Sequence, residues 1–214
     1  MTYEITSRGY LGRAIKQLST GTQESLFYAA FELRCGIEAR MRQYLSVWEH
    51  VSKKKKNGWQ ISALDQTIEQ AFRTGNKYVR WAVHSKETGK IKTCIYHTPV
   101  TKALKESGEK LGNHLHALKS FKPEDDEWWD KFKDELIFCA RGLRTANLGT
   151  MIGPALKNTK TNQIQMNLEI PPNWATNKIF DAIQGQEMIV HISYPDALPL
   201  EIEPEAILWN IPDC

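Results

Sequence analysis

The stretch Leu26 to Leu45, LFYAAFELRCGIEARMRQYL, decides how this chain folds, because apolar residues recur in it at helical spacing while two charges interrupt them. With an advance of about 100° per residue from Leu26, the side chains of Ala30, Leu33, Ile37, Met41, Tyr44 and Trp48 fall between about −20° and +60°. Phe27 and Phe31 fall near 100° and 140°, so the apolar arc is roughly 160° wide. Arg34 at about 80° and Glu38 at about 120° lie inside that arc, whereas Glu32, Arg40 and Gln43 fall outside it. Unpaired charges in such a place are costly, so these two must pair or face a cleft.

Arg34 and Glu38 are four residues apart and can touch on a helix, and Arg42 extends the ladder by four more. One reading is an ion pair, half-buried or at the edge of a solvated groove, that sets how the helix packs. The other is a polar cleft in which Arg34 and Arg42 bind an anion such as phosphate or carboxylate, with Glu38 orienting them.

Outward from this stretch, Thr20 or Thr22 suits an N-cap and Glu24 suits the first turn, so the spacing predicts a helix from Gln23 to Val51. Upstream, Leu11, Ile15 and Leu18 share one face of a shorter helix within Met1 to Ser19. Downstream, the lysines Lys53 to Lys56 and the turn pair Asn57-Gly58 end the long helix. Ser62 to Thr74 reads as a third helix. Tyr78 to His84 and Ile91 to Tyr96 read as a β-hairpin around Thr88-Gly89. Val100 to Lys119 is an amphipathic helix weakened by Gly108 and Gly112. Glu124 to Glu127 oppose the dipole at the start of a second long helix, Trp128 to Asn147. Beyond Gly153 the chain is punctuated by proline, with strand-like runs at Ile164 to Ile170, Met188 to Tyr194 and Ile207 to Ile211, and a short helical pattern at Trp174 to Gln184. The expected fold is α+β: a mainly helical bundle over residues 1–153 with an inserted hairpin near 78–96, and a small β-rich C-terminal part over 154–214.

Composition narrows the function classes. Hydrophobic residues make up 41% of the 214 residues and no apolar run approaches a membrane span, so a soluble cytoplasmic protein is the expectation. Cys35, Cys94, Cys139 and Cys214 form no CxxC or zinc-type cluster and read as reduced thiols. The net charge of +3 conceals an asymmetry, with 20 Lys plus Arg against 10 Asp plus Glu up to Phe121 and 8 against 15 after it. The basic part, with Lys53, Lys54, Lys55 and Lys56, suits a phosphate backbone, and the acidic part suits either the basic part or a basic protein partner. Arg80 stands among Tyr78, Trp81 and Tyr96 in the hairpin, a mixture that serves single-stranded nucleic acid or a half-buried sheet equally. Trp128-Trp129 sits in an acidic context that repels phosphate, so these indoles are expected to pack in the core. His114 and His116 would point to different sides of a helix, and HExxH, phosphate-loop and GxSxG motifs are absent, so no metal or cofactor is expected.

The run Tyr28-Ala29-Ala30-Phe31-Glu32-Leu33-Arg34 followed by Ile37-Glu38 resembles the long helices of HEPN-type helical domains over about 30 residues. The resemblance implies a helical bundle, often dimeric, found in bacterial toxin, defence and RNA-processing proteins, whose active members are metal-independent ribonucleases using an arginine and a histidine four to six residues apart. Here seven residues separate Arg42 from His50, three separate Arg80 from His84, and Arg141 leads to Asn147 in place of a histidine. The functional expectation is a module that binds nucleic acid or a protein, including a second copy, without a clear catalytic motif. A ribonuclease with an atypical site of Arg34, Glu38, Arg42 and His50, and a structural docking subunit, are its alternatives.

Overall fold

The protein is described by a computed structural model covering residues 3–116, 122–157, 161–169 and 184–198. Six helices occur among them in chain order: α1 Ser7–Thr20, α2 Gln23–Ser46, α3 Lys53–Lys56, α4 Ile61–Phe72, α5 Lys102–His114 and α6 Trp128–Ala146. The strands are β1 Val79–Ser85, β2 Ile91–His97, β3 Leu156–Lys157, β4 Ile164–Gln165 and β5 Met188–Ser193. The fold is α+β. No helix among the described residues is long and apolar enough to cross a membrane.

Helix α2 is the axis of the bundle. Thr22 caps it by accepting the Ser25 amide, as its hydroxyl and extended backbone allow. Its start meets the start of α6, where Phe27 packs on Phe132 with ring centroids 5.4 Å apart, and its later turns meet the end of α6, where the Arg40 guanidinium reaches Ala146. The two long helices therefore run parallel. Helix α5 runs antiparallel to both: Arg34 meets Gly108 and a Cβ on Gly142 would lie 3.1 Å from Leu104. Helix α1 packs on the side of α2 that carries Ser25, Ala29 and Gly36, all buried. A Cβ on Gly36 would lie 2.6 Å from Leu143 and 3.2 Å from Tyr10, so only the missing side chain lets α1, α2 and α6 meet there.

The burial of α2 thus differs from the arc read off its large apolar residues. Phe31, at one edge of that arc, is exposed, and the small residues at about −100° to −60° carry the buried surface round to Arg40. The helix also ends at Ser46 and not at Val51, because Trp48 leaves the helical path to pack on Phe72 of α4 at 5.8 Å between ring centroids. The lysine run follows as the single turn α3.

The hairpin forms as the alternation predicts, with β1 and β2 antiparallel and Trp81 opposite Ile95. On the other side of β1 lies β5, also antiparallel, which places Ile192 opposite Trp81 and Val190 opposite Val83. The expected C-terminal part, 154–214, therefore gives its clearest strand to the hairpin's sheet, because the face of Val79, Trp81 and Val83 needs apolar cover that Met166, Leu168 and Met188 provide. Among the described residues of the run Ile164 to Ile170, Ile164–Gln165 pairs as a strand, with β3, and Leu168 bridges to Met151. The helix expected at Trp174 to Gln184 falls, apart from Gln184, outside the described residues, as do the strand at Ile207 to Ile211 and Cys214.

Candidate functional site

Arg34 and Glu38 meet as their spacing requires, Nε to Oε1 at 3.2 Å on α2. The guanidinium also donates to the Gly108 carbonyl at 2.9 Å and lies 3.9 Å from the Glu109 carboxylate. Gly112 lies so close that a Cβ there would run into the Arg34 guanidinium. Burial pushes the Glu38 carboxyl above its usual range, and Arg34 and Arg42 pull it back down. Together these contacts form a bracket between α2 and α5 that holds the arginine through its Nε and Nη1 atoms. Arg42 is half-buried on the same helix. His50 is exposed beyond the end of α2, with its ring 5.9 Å from that of Trp48. Of the four residues named as an atypical catalytic set, Arg34 and Glu38 are in contact, Arg42 follows one turn later on α2, and His50 lies beyond the last residue of the helix.

A different arginine is the buried one. Arg40, 1% exposed, donates from Nε to the Ala146 carbonyl at 2.9 Å and to the Tyr44 hydroxyl at 3.1 Å. Its other nitrogens donate to Gln43 at 2.7 Å and to the Gly149 carbonyl at 3.0 Å, and Glu169 stands 3.6 Å away. Tyr44 donates in turn to the Thr98 carbonyl and packs edge-on against His97, centroids 4.9 Å apart. Burial, then the charge of Arg40, pushes the His97 imidazole down to about 3. This cluster ties the bundle to the sheet. Its donors are aimed at the carbonyl end of α6, where a cation suits the helix dipole, and this explains a charge that sequence spacing had placed on the solvent side.

The lysine turn behaves differently. Lys53, Lys54 and Lys55 are exposed and Lys56 is half-buried. Lys55 donates to the Gln70 side chain at 3.3 Å and Lys56 to the Ser46 carbonyl at 3.0 Å, neutral oxygens that leave the ammonium charge in place. Three residues on, Trp59 is 65% exposed. A Trp this open is unusual, and in sequence its signal was an aromatic placed between a charged turn and a helix start, Asn57-Gly58-Trp59. Lys53–Trp59 therefore combines positive charge with an accessible aromatic face.

The other aromatic and basic candidates are engaged in packing. Tyr78, Trp81 and Tyr96 of the hairpin region are buried, and Arg80 is half-buried opposite Tyr96 and Ser193. Trp128 and Trp129 form an aromatic cluster with Phe27 and Phe132, as the acidic context predicts. His114 joins that cluster and lies 3.5 Å from Glu135. His84 and His191 stack edge-on across β1 and β5 at 4.7 Å. Among the described residues no three His, Cys, Asp or Glu side chains come together to hold a metal ion. Burial raises the thiols of Cys35 to about 11 and Cys139 to about 12, which makes both poor nucleophiles at neutral pH. Comparison with protein families, with curated proteins and with solved structures finds no match to this chain.

Proposed function

We propose that this chain binds single-stranded nucleic acid, without cleaving it, through the lysine turn Lys53–Lys56 and the indole of Trp59. The observation that carries this reading is the pairing of three exposed lysines with an open aromatic face three residues beyond the turn. Ammonium groups exchange counterions for backbone phosphates, and an exposed indole stacks on unpaired bases but not on a closed duplex. What supports the absence of cleavage is the commitment of Arg34 to Gly108, Glu38 and Glu109, with His50 beyond the helix end.

The test is a salt titration of binding to labelled single-stranded RNA and DNA. Replacing Lys53, Lys54 and Lys55 by Gln should weaken binding and flatten the logarithmic salt slope by about 2, given about 0.7 per phosphate contact on a single strand. Trp59 emission should quench on binding in the wild type, and Trp59→Ala should lower affinity without changing the slope. A salt slope unchanged in the lysine variant would reject the site.

A second reading, docking to a protein partner or a second copy, is favoured by the exposed side chains of Ile189, Val190 and Ile192 on β5. It expects no salt-dependent binding of nucleic acid, so the same titration separates the two.

A further inference from the structure

The lysine turn leads toward a groove. A cleft of about 580 Å³ lies between the end of α4 and the start of the C-terminal segment, lined by Phe72, Arg73, Gly75, Lys77, Leu156 and Tyr194. Its size falls within the range of small-molecule sites. Lys55 reaches Gln70 at 3.3 Å, and Gln70 is the chain neighbour of Glu69 in the lining of the cleft, so the lysines and the groove both adjoin the last turn of α4. Arg73 and Lys77 are both exposed, and Tyr194 is 53% exposed. The Glu69 carboxylate also lines the cleft, where it accepts the Gly75 amide at 3.1 Å, and the two cations Arg73 and Lys77 outweigh its single negative charge.

Arg73 occupies the left-handed cap of α4 with φ of 55°. Glycine holds such positions at least cost, so an arginine here maintains strain while placing a guanidinium at the mouth of the cleft. We infer that this groove holds one nucleotide of the bound strand, its phosphate on Arg73 and Lys77 and its base against Tyr194. The inference rests on the reading of the lysine turn as a nucleic-acid site. It makes the binding surface a track from Trp59 across the lysines to Tyr194, with an aromatic platform at each end.

The experiment compares wild type, Arg73→Gly, Tyr194→Ala and the triple lysine variant in anisotropy titrations of one labelled single-stranded RNA, with AMP as competitor. Arg73→Gly removes the cation and relieves the backbone, so its unfolding midpoint should equal or exceed the wild type and any loss of binding is a loss of contact. Arg73→Gly and Tyr194→Ala should each weaken binding about tenfold, with only Arg73→Gly lowering the salt slope, by about one phosphate contact. Wild-type affinity in both groove variants beside a weakened lysine variant overturns the groove and leaves the turn standing. Absence of binding by the wild type at low salt overturns both. Displacement of the RNA by AMP at equal affinity overturns the strand as occupant in favour of a free nucleotide.

Discussion

Arg40 and His97 both contact Tyr44 where the bundle joins the sheet, and the interior treats the two bases in opposite ways. Arg40 has acceptors for its donors, including the carbonyls of Ala146 and Gly149, and sits at the negative end of α6. His97 is buried beside that positive charge, and its Nδ1 has no hydrogen-bond partner among the described residues, so the neutral imidazole is the stable form. An unfolded chain takes up a proton on this histidine near pH 6.5, whereas the folded protein does not until about pH 3. Between those values the unfolded state binds more protons, so stability falls as pH falls. Going from neutral pH to about pH 5, His97 should lower unfolding free energy by about 2 kcal/mol. Urea midpoints measured across that window in the wild type and in His97→Gln check this, with the variant expected to show the shallower dependence.

At the scale of elements, the bracket of Arg34 and Glu38 shows why α5 carries two glycines in its second half. A Cβ at Gly108 would lie 2.8 Å from Ile61 and 3.0 Å from Ile37, and one at Gly112 would displace the Arg34 guanidinium. Read from sequence they only weaken a helix; in the fold they let α5 approach α2 closely. Arg34→Ala should cost about 3 kcal/mol, because it leaves the buried Glu38 carboxylate without its partner. Gly112→Ala should cost about 1 to 2 kcal/mol alone and almost nothing in the Arg34→Ala background, a coupling of at least about 1 kcal/mol. Urea unfolding of the four proteins of this cycle is the measurement. An Arg34→Ala protein as stable as wild type would return this arginine to the role of a cleft residue.

At the scale of the molecule, the C-terminal segment is part of the sheet. Met166, Leu168 and Met188 cover Trp81 and Val83, and Glu169 reaches Gln43 and Arg40 on α2. A chain ending at Gly153 should keep helical circular dichroism, because the bundle has its own core, yet expose Trp81 and lower Tm by roughly 10 °C. A truncated chain with unchanged Tm and tryptophan emission would mean that the sheet does not depend on its third strand. By itself, the sequence determined the α+β class, the five principal helices, the hairpin and its turn, the reach of Arg34 to Glu38 four residues on, and the open charge of the lysine turn. These features follow from periodicity, capping and contacts within a few residues. Only the tertiary structure decided that α2 and α6 run parallel, that Arg40 is the buried arginine, that β5 completes the hairpin's sheet, and that Arg73, Lys77 and Tyr194 share one groove. Each of these depends on surfaces brought together from distant parts of the chain, and the smallest residues, Ala29, Gly36, Gly108 and Gly112, direct much of that packing while adding little to any hydrophobic pattern.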